Sequence, residues 1–174
     1  KEHPQLQVPL SNGSSYNSVP AKKMFLDVDV EKVKAMNIVP KEMEDNIVEK
    51  MTWSIKGRGL EKNDLGVIDL IANSNWERPI YFNTTSLSSL NINLRRYVVQ
   101  EGIAYRLTPV RNPDAQNMMI NNEVMYDNLM NKYQWRELDN PDVYYSEDYR
   151  NFCLNHRSAF NTLAISLMEA GDYD

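Results

Sequence analysis

The sequence predicts an α+β fold, or an α/β one: a small mixed sheet of about four short strands with packed helices, ending in one long C-terminal helix. Three observations carry this expectation. Alternating apolar residues in Met24 to Asp29, Thr52 to Lys56 and Ile103 to Val110, and the short run Pro79 to Phe82 that begins with proline, are strand signals. Between these runs lie segments with helical spacing, of which Asn63 to Asn73 is the clearest. After Ser146, residues Tyr149, Phe152, Cys153, His156, Phe160, Leu163, Ala164 and Leu167 recur every three or four positions, a broad stripe that stops at Gly171.

Residues 1–20 combine Pro4, Pro9 and Pro20 with the polar run Ser11 to Ser15. Such a stretch buries too little apolar surface to offset its ordering entropy, so it is expected as an extended arm or linker. An α/β-type domain is expected over 21–143 and the C-terminal helix over 144–174. The first strand leads into a short helix from Val30 to Met36, which must stop before Pro40. Trp53 and Ile55 share one face of the second strand, which the turn Gly57-Arg58-Gly59 closes. In the next helix, Asn63 or Asp64 is placed to cap the free N–H groups, and Leu65, Ile68, Ile71 and Ala72 form the inward stripe. Pro79 opens the third strand, a position that tolerates the missing donor. No clear period runs from Ser86 to Gln100. Asn122 to Lys132 fits a helix, Asp139 to Asp142 a turn, and Ser146 is placed to cap the last helix.

With 174 residues, 42% hydrophobic and 25% charged, the composition is that of an ordinary globular chain. Nineteen Lys and Arg against 24 Asp and Glu leave a charge of −5, which argues against a nucleic-acid partner. Cys153 is the only cysteine, and His3 and His156 are the only histidines. An internal disulfide is therefore excluded, and neither a metal nor another cofactor is expected. No apolar run approaches the roughly 18 residues of a membrane span, so this segment by itself is expected to be soluble. Phosphate-loop, dinucleotide and nucleophile-elbow patterns do not occur.

Two sets of side chains are candidates for function. Asp64, Asp69, Glu77 and Arg78 form a candidate polar cluster if the loop after the helix folds back; more simply, Asp64 complements the helix dipole. Tyr133, Trp135, Tyr144 and Tyr145 form a candidate aromatic contact surface between the last two helices, of the kind that lines carbohydrate or protein contacts. Asp27 and Asp29 share a strand face but read as solvent-facing acids. Cys153 reads as a small core residue, and His156 as a packed or partly exposed helix histidine. Trp76 to Phe82 lies at a helix-to-strand junction, where unpaired carbonyls need donors. Trp76 is expected to be largely buried there, with Arg78 bonded to backbone carbonyls or a helix carboxylate. Asn12-Gly13-Ser14 and Asn83-Thr84-Thr85 match the glycosylation pattern, which is frequent by chance in a chain of this composition.

The runs Lys62 to Leu65, Asp69 to Phe82 and Gln100 to Pro109 together resemble a known family, as do Met125 to Met130, Trp135 and Asn140-Pro141. They are similar to the soluble C-terminal region of bacterial membrane proteins related to protein O-mannosyltransferases, a family catalogued as a domain of unknown function. The resemblance spans about residues 24 to 171, and its most specific part is Asn75-Trp76-Glu77-Arg78-Pro79-Ile80-Tyr81. It implies that the chain is an excised piece, preceded in its parent by a multi-helix membrane portion and lying on the extracytoplasmic, periplasmic side. It also implies that the sugar-transfer acids lie near that membrane portion, so none is carried onto this sequence. Helical-hairpin repeats tend to follow in such proteins, and Ser146 to Asp174 resembles the first helix of one.

Two principal function classes follow. One is a non-catalytic accessory domain whose partners are the membrane portion of its own parent and an acceptor polypeptide or glycan. The other is a hydrolase or transferase using Asp64, Asp69, Glu77 and Arg78. A third, a helical-repeat interaction scaffold, depends on residues after Asp174. The uncovered stripe of the last helix further predicts self-association.

Overall fold

The computed structural model of the chain describes residues 6–18, 23–56, 59–114 and 116–172. Within the stretch expected as an arm, β1 (Leu6–Pro9) and β2 (Ser15–Ser18) form an antiparallel ribbon. Its turn is shaped by Asn12, whose side chain accepts the Ser14 N–H at 3.1 Å, and by Gly13 at φ +83°. The turn expected at Gly57 and Arg58 lies outside the described residues.

β3 (Lys23–Asp27) pairs antiparallel with β4 (Lys50–Ser54), and alternate residues point inward, Met51 and Trp53 into the core. Asp27 pairs with exposed Lys50 at 3.2 Å, whereas Asp29 has left the strand. Its carboxylate accepts the Lys32 N–H and caps α1 (Val30–Ala35), so the two acids do not act together. After a 3₁₀ turn over Lys41–Asn46, β4 leads to α2 (Lys62–Asn73).

The second sheet has the order β5-β7-β6-β8, with β5 (Tyr81–Phe82), β6 (Val98–Gln100), β7 (Tyr105–Leu107) and β8 (Met119–Ile120). β6 runs antiparallel to β7 and parallel to β8, so the sheet is mixed. The four strands read from sequence thus divide between two sheets, and β6 and β8 are additional, as are β1 and β2 of the ribbon. β6 was illegible because all three of its residues are buried, which removes the alternation that marks a one-sided strand. α3 (Thr84–Ser89), capped by Asn83, and a 3₁₀ turn at Arg95–Tyr97 connect β5 to β6. The Tyr97 hydroxyl accepts the Thr52 N–H at 2.9 Å and so joins the two sheets. The main core lies between β3–β4, α1, α2 and one sheet face, with Val33, Met51, Ile71, Ile92, Leu94, Val98, Leu107 and Val110 almost fully enclosed.

The buried face of α2 differs from the expected one. Leu65 is 55% exposed and Ala72 is exposed, while Asp64, Val67, Ile68 and Ile71 face the core. The cause is polar: the fully buried Asp64 carboxylate accepts N–H groups from Glu61 (2.7 Å) and Asn91 (2.8 Å), and the Asn91 side-chain amide (2.9 Å). Three bonds to one charged group fix the rotation of the helix more firmly than Leu65 could. Asp64 is therefore the third helical residue, and the cap position belongs to Glu61.

α4 (Asn122–Tyr126) continues into a π-helical turn, Asp127–Lys132, and both pack against α5 (Glu147–Ala170). Met125, Leu129, Ala159 and Leu163 make a second core, flanked by Ile120, Tyr133, Phe160 and Leu167. Along the α5 stripe Ala159 and Leu163 are buried, Cys153, His156, Phe160 and Leu167 are half-buried, and Tyr149, Phe152 and Ala164 are exposed. Ser146 sits at the start of α5 without making a side-chain cap bond, and Gly171 ends it at φ +78°.

Candidate functional site

Among the described residues, no hydrogen bond or ion pair joins Asp64, Asp69, Glu77 and Arg78 to one another. The three bonds from Glu61 and Asn91 engage both oxygens of Asp64. Burial pushes its carboxyl up, but those bonds and Lys56 outweigh that effect and hold it below the usual range, the opposite of a poised general acid. Asp69 is exposed and accepts the Asn73 amide at 3.0 Å, one turn along α2. Glu77 reaches Asn75 at 3.3 Å and Lys32 at 3.8 Å. Arg78 is exposed and, among the described residues, makes neither a side-chain hydrogen bond nor an ion pair, so its expected bonds to carbonyls or a carboxylate are not formed. Trp76 is half-buried against the main core, not largely buried. Its φ of +63°, next to Asn75 at +51°, lets the chain reverse after α2 while the indole lies across the core edge.

The aromatic set does converge, with one exception. Tyr133, Trp135 and Tyr145 line an open groove of about 600 Å³ between the end of the π-helical turn and the first half of α5. Tyr144 is 86% exposed and does not line it. Trp135 is the hub. Tyr133 meets it edge-on at 6.2 Å and His156 at 5.3 Å, while Phe160 tilts against it at 5.6 Å. Tyr145 continues the aromatic wall through Tyr149 (5.9 Å) to Phe152 (6.3 Å). Cys153, expected in the core, is half-buried and lines the groove instead. His156 Nδ1 lies 2.9 Å from the Phe152 carbonyl, a bond only a protonated Nδ1 can donate, so neutral His156 presents Nε2 as an acceptor.

The floor of the groove is tied to a polar knot that sequence reasoning missed. The turn after β6 carries Glu101, 3% exposed, and Gly102 at φ +117°. Glu101 accepts the Tyr81 hydroxyl at 2.6 Å and the Asn121 amide at 3.3 Å, with Arg106 at 3.6 Å. Burial, and then the Glu101 carboxylate, push the Tyr81 phenol up to about 12. The Asn128 amide donates to the Glu101 carbonyl at 2.7 Å, and the Tyr133 hydroxyl receives the Ile103 N–H at 3.4 Å. The signal was present: a glutamate directly after Tyr97-Val98-Val99-Gln100 and before glycine is a carboxylate in an apolar setting that must find partners.

The wall opposite α5 is strained. Arg136 and Glu137 both adopt left-handed backbone, φ +44° and +66°, and the Tyr145 hydroxyl holds the turn by donating to the Arg136 carbonyl at 2.7 Å. No carboxylate lines the groove. Its lining combines aromatic faces with the side-chain donors Lys132, Gln134 and Arg136. Among the described residues, no three His, Cys, Asp or Glu side chains gather to hold a metal ion, and no helix is long and apolar enough to cross a membrane.

No curated protein and no solved structure matches the chain. A family model described as TMEM260-associated domain 2 matches residues 1–135, a span that includes Tyr133, Trp135 and the Glu101 knot. TMEM260 is an O-mannosyltransferase-related protein, in keeping with the resemblance noted above, and the match indicates an accessory domain of a glycosyltransferase-related protein. The chain therefore belongs to the TMEM260-associated domain 2 family.

Proposed function

We propose that the chain is a non-catalytic accessory domain on the extracytoplasmic side of a bacterial membrane glycosyltransferase-like protein, and that its aromatic groove positions the acceptor polypeptide or glycan. The observation that carries this reading is a contrast. Tyr133, Trp135 and Tyr145 are gathered into one open groove, whereas Asp64, Asp69, Glu77 and Arg78 are dispersed and individually occupied or exposed. Catalysis by paired acids requires two carboxylates converging on one substrate, whereas the bonds of Asp64, Asp69 and Glu77 each go to different partners. The family match and the resemblance of Asn75 to Tyr81 supply the glycosyltransferase context. In this reading the membrane portion of the same parent is the standing partner, and sugar transfer belongs to that portion.

The test compares the isolated chain with its intact parent. The chain alone is expected to transfer no sugar, while acceptor added to it shifts the indole resonance of Trp135 and leaves that of buried Trp53 in place. Sugar transfer or glycoside hydrolysis by the isolated chain, lost in Asp69→Asn or Glu77→Gln, would overturn the reading in favour of an independent enzyme.

A further inference from the structure

The groove is basic on an acidic chain. Lys132 and Arg136 line it, Arg157 lines an adjoining hollow of about 450 Å³ that shares Trp135, and neither space is lined by a carboxylate; the carboxylate beside Arg136 is Asp139, in a separate hollow of about 510 Å³ that also shares Trp135. The whole chain has five more acids than bases. Lys132 is engaged by Asp127, but Arg136 and Arg157 make no ion pair among the described residues. Unpaired guanidinium groups flanking an indole offer two complementary forms of recognition: a flat apolar face for a ring, and a fork of donors for a carboxylate. The left-handed turn at Arg136 and Glu137 places one of these cations on the rim at a cost in backbone strain.

Resting on the reading of this groove as a recognition surface, we propose that its occupant is an acidic carbohydrate, with a pyranose ring lying on Trp135 and a uronate-type carboxylate held by Arg136. A polypeptide is the weaker fit. The groove lies between a helical turn and α5, with no strand edge in its lining to extend by sheet addition, so the backbone of an extended peptide would go unpaired there. A sugar carries its hydrogen-bonding groups on its rim and satisfies them with water and side chains such as Gln134.

The experiment titrates the chain with trigalacturonate, neutral mannotriose and a tri-glutamate peptide, following backbone and indole NMR shifts at several salt concentrations. Trigalacturonate is expected to shift Trp135, Tyr145 and His156, with affinity falling as salt rises and by about tenfold or more in Arg136→Gln. Arg78→Gln, an exposed arginine outside the groove, is expected to leave binding unchanged. Trp135→Phe, which keeps the groove filled should Trp135→Ala fail to fold, is expected to weaken binding. Equal binding of mannotriose, indifferent to Arg136→Gln, would overturn the acidic specificity while the recognition surface stands. Binding of the peptide but neither sugar would overturn the carbohydrate assignment and keep the surface. If none of the three shifts the groove, both readings fail.

Discussion

Tyr133 stands directly over Gly102: a Cβ built on that glycine would lie 2.5 Å from the Tyr133 hydroxyl oxygen and 3.2 Å from the ring carbon bearing it. The contact locks an aromatic of the groove onto the turn that carries Glu101. Gly102→Ala is expected to destabilise the fold by about 1–3 kcal/mol, since alanine meets both a φ of +117° and the phenol. Tyr133→Phe removes the nearest atom, so the double variant should lose less than the sum of the two single ones. Urea melts of the four proteins measure this coupling; strict additivity would mean that the two residues do not constrain each other.

Asp64 predicts a particular acid limb. Folding lowers its pKa, so the unfolded chain takes up the proton more readily. Its contribution is complete above the ordinary carboxyl value of 3.8 and is lost as pH falls through the depressed folded value. Asp114 and Asp127 are also held low by hydrogen bonds and titrate in the same window, so the difference between wild type and Asp64→Asn is the informative quantity. The variant should lose about 1–3 kcal/mol at pH 7, with the deficit shrinking below pH 3.8. A deficit constant from pH 7 to pH 2 would show that the charge is not what the three donors hold.

At Trp76 half-burial sets the scale. A fully enclosed aromatic costs about 3–5 kcal/mol on truncation to alanine. Trp76 packs only one side against the core, so Trp76→Ala should cost about half that, read from the denaturation midpoint at unchanged slope. A loss as large as that of Trp53→Ala would contradict its position at the core edge.

The open half of α5 bears on association. Tyr149, Phe152 and Leu154 are each about 60% exposed, and Phe152 also edges the groove. Sedimentation of the chain should show concentration-dependent self-association that Phe152→Glu reduces. Strictly monomeric behaviour at high concentration would show that these side chains are tolerated in water.

The strands with one wet face, β3 and β4, were legible as alternation, and α5 as a repeat of three and four. β6 was not, because both of its faces are enclosed, and the inward face of α2 was misread because a buried carboxylate set the rotation of the helix. At the site, the aromatic residues could be found by proximity in sequence, since Tyr133, Trp135 and Tyr145 lie within 13 positions. Their partners could not. His156 and Phe160 come from the far helix, and the Glu101 knot assembles from β5, β7, the turn after β6 and the start of α4, a convergence that only the sheet order produces.

Whether this domain positions an acceptor without doing chemistry is decided by sugar-transfer kinetics of the intact parent carrying Trp135→Ala or Glu77→Gln. Trp135→Ala is expected to raise KM for the acceptor by about tenfold or more with kcat nearly unchanged, and Glu77→Gln to alter neither by more than about twofold. A fall in kcat with KM unchanged for Trp135→Ala, or loss of turnover in Glu77→Gln, would contradict this reading.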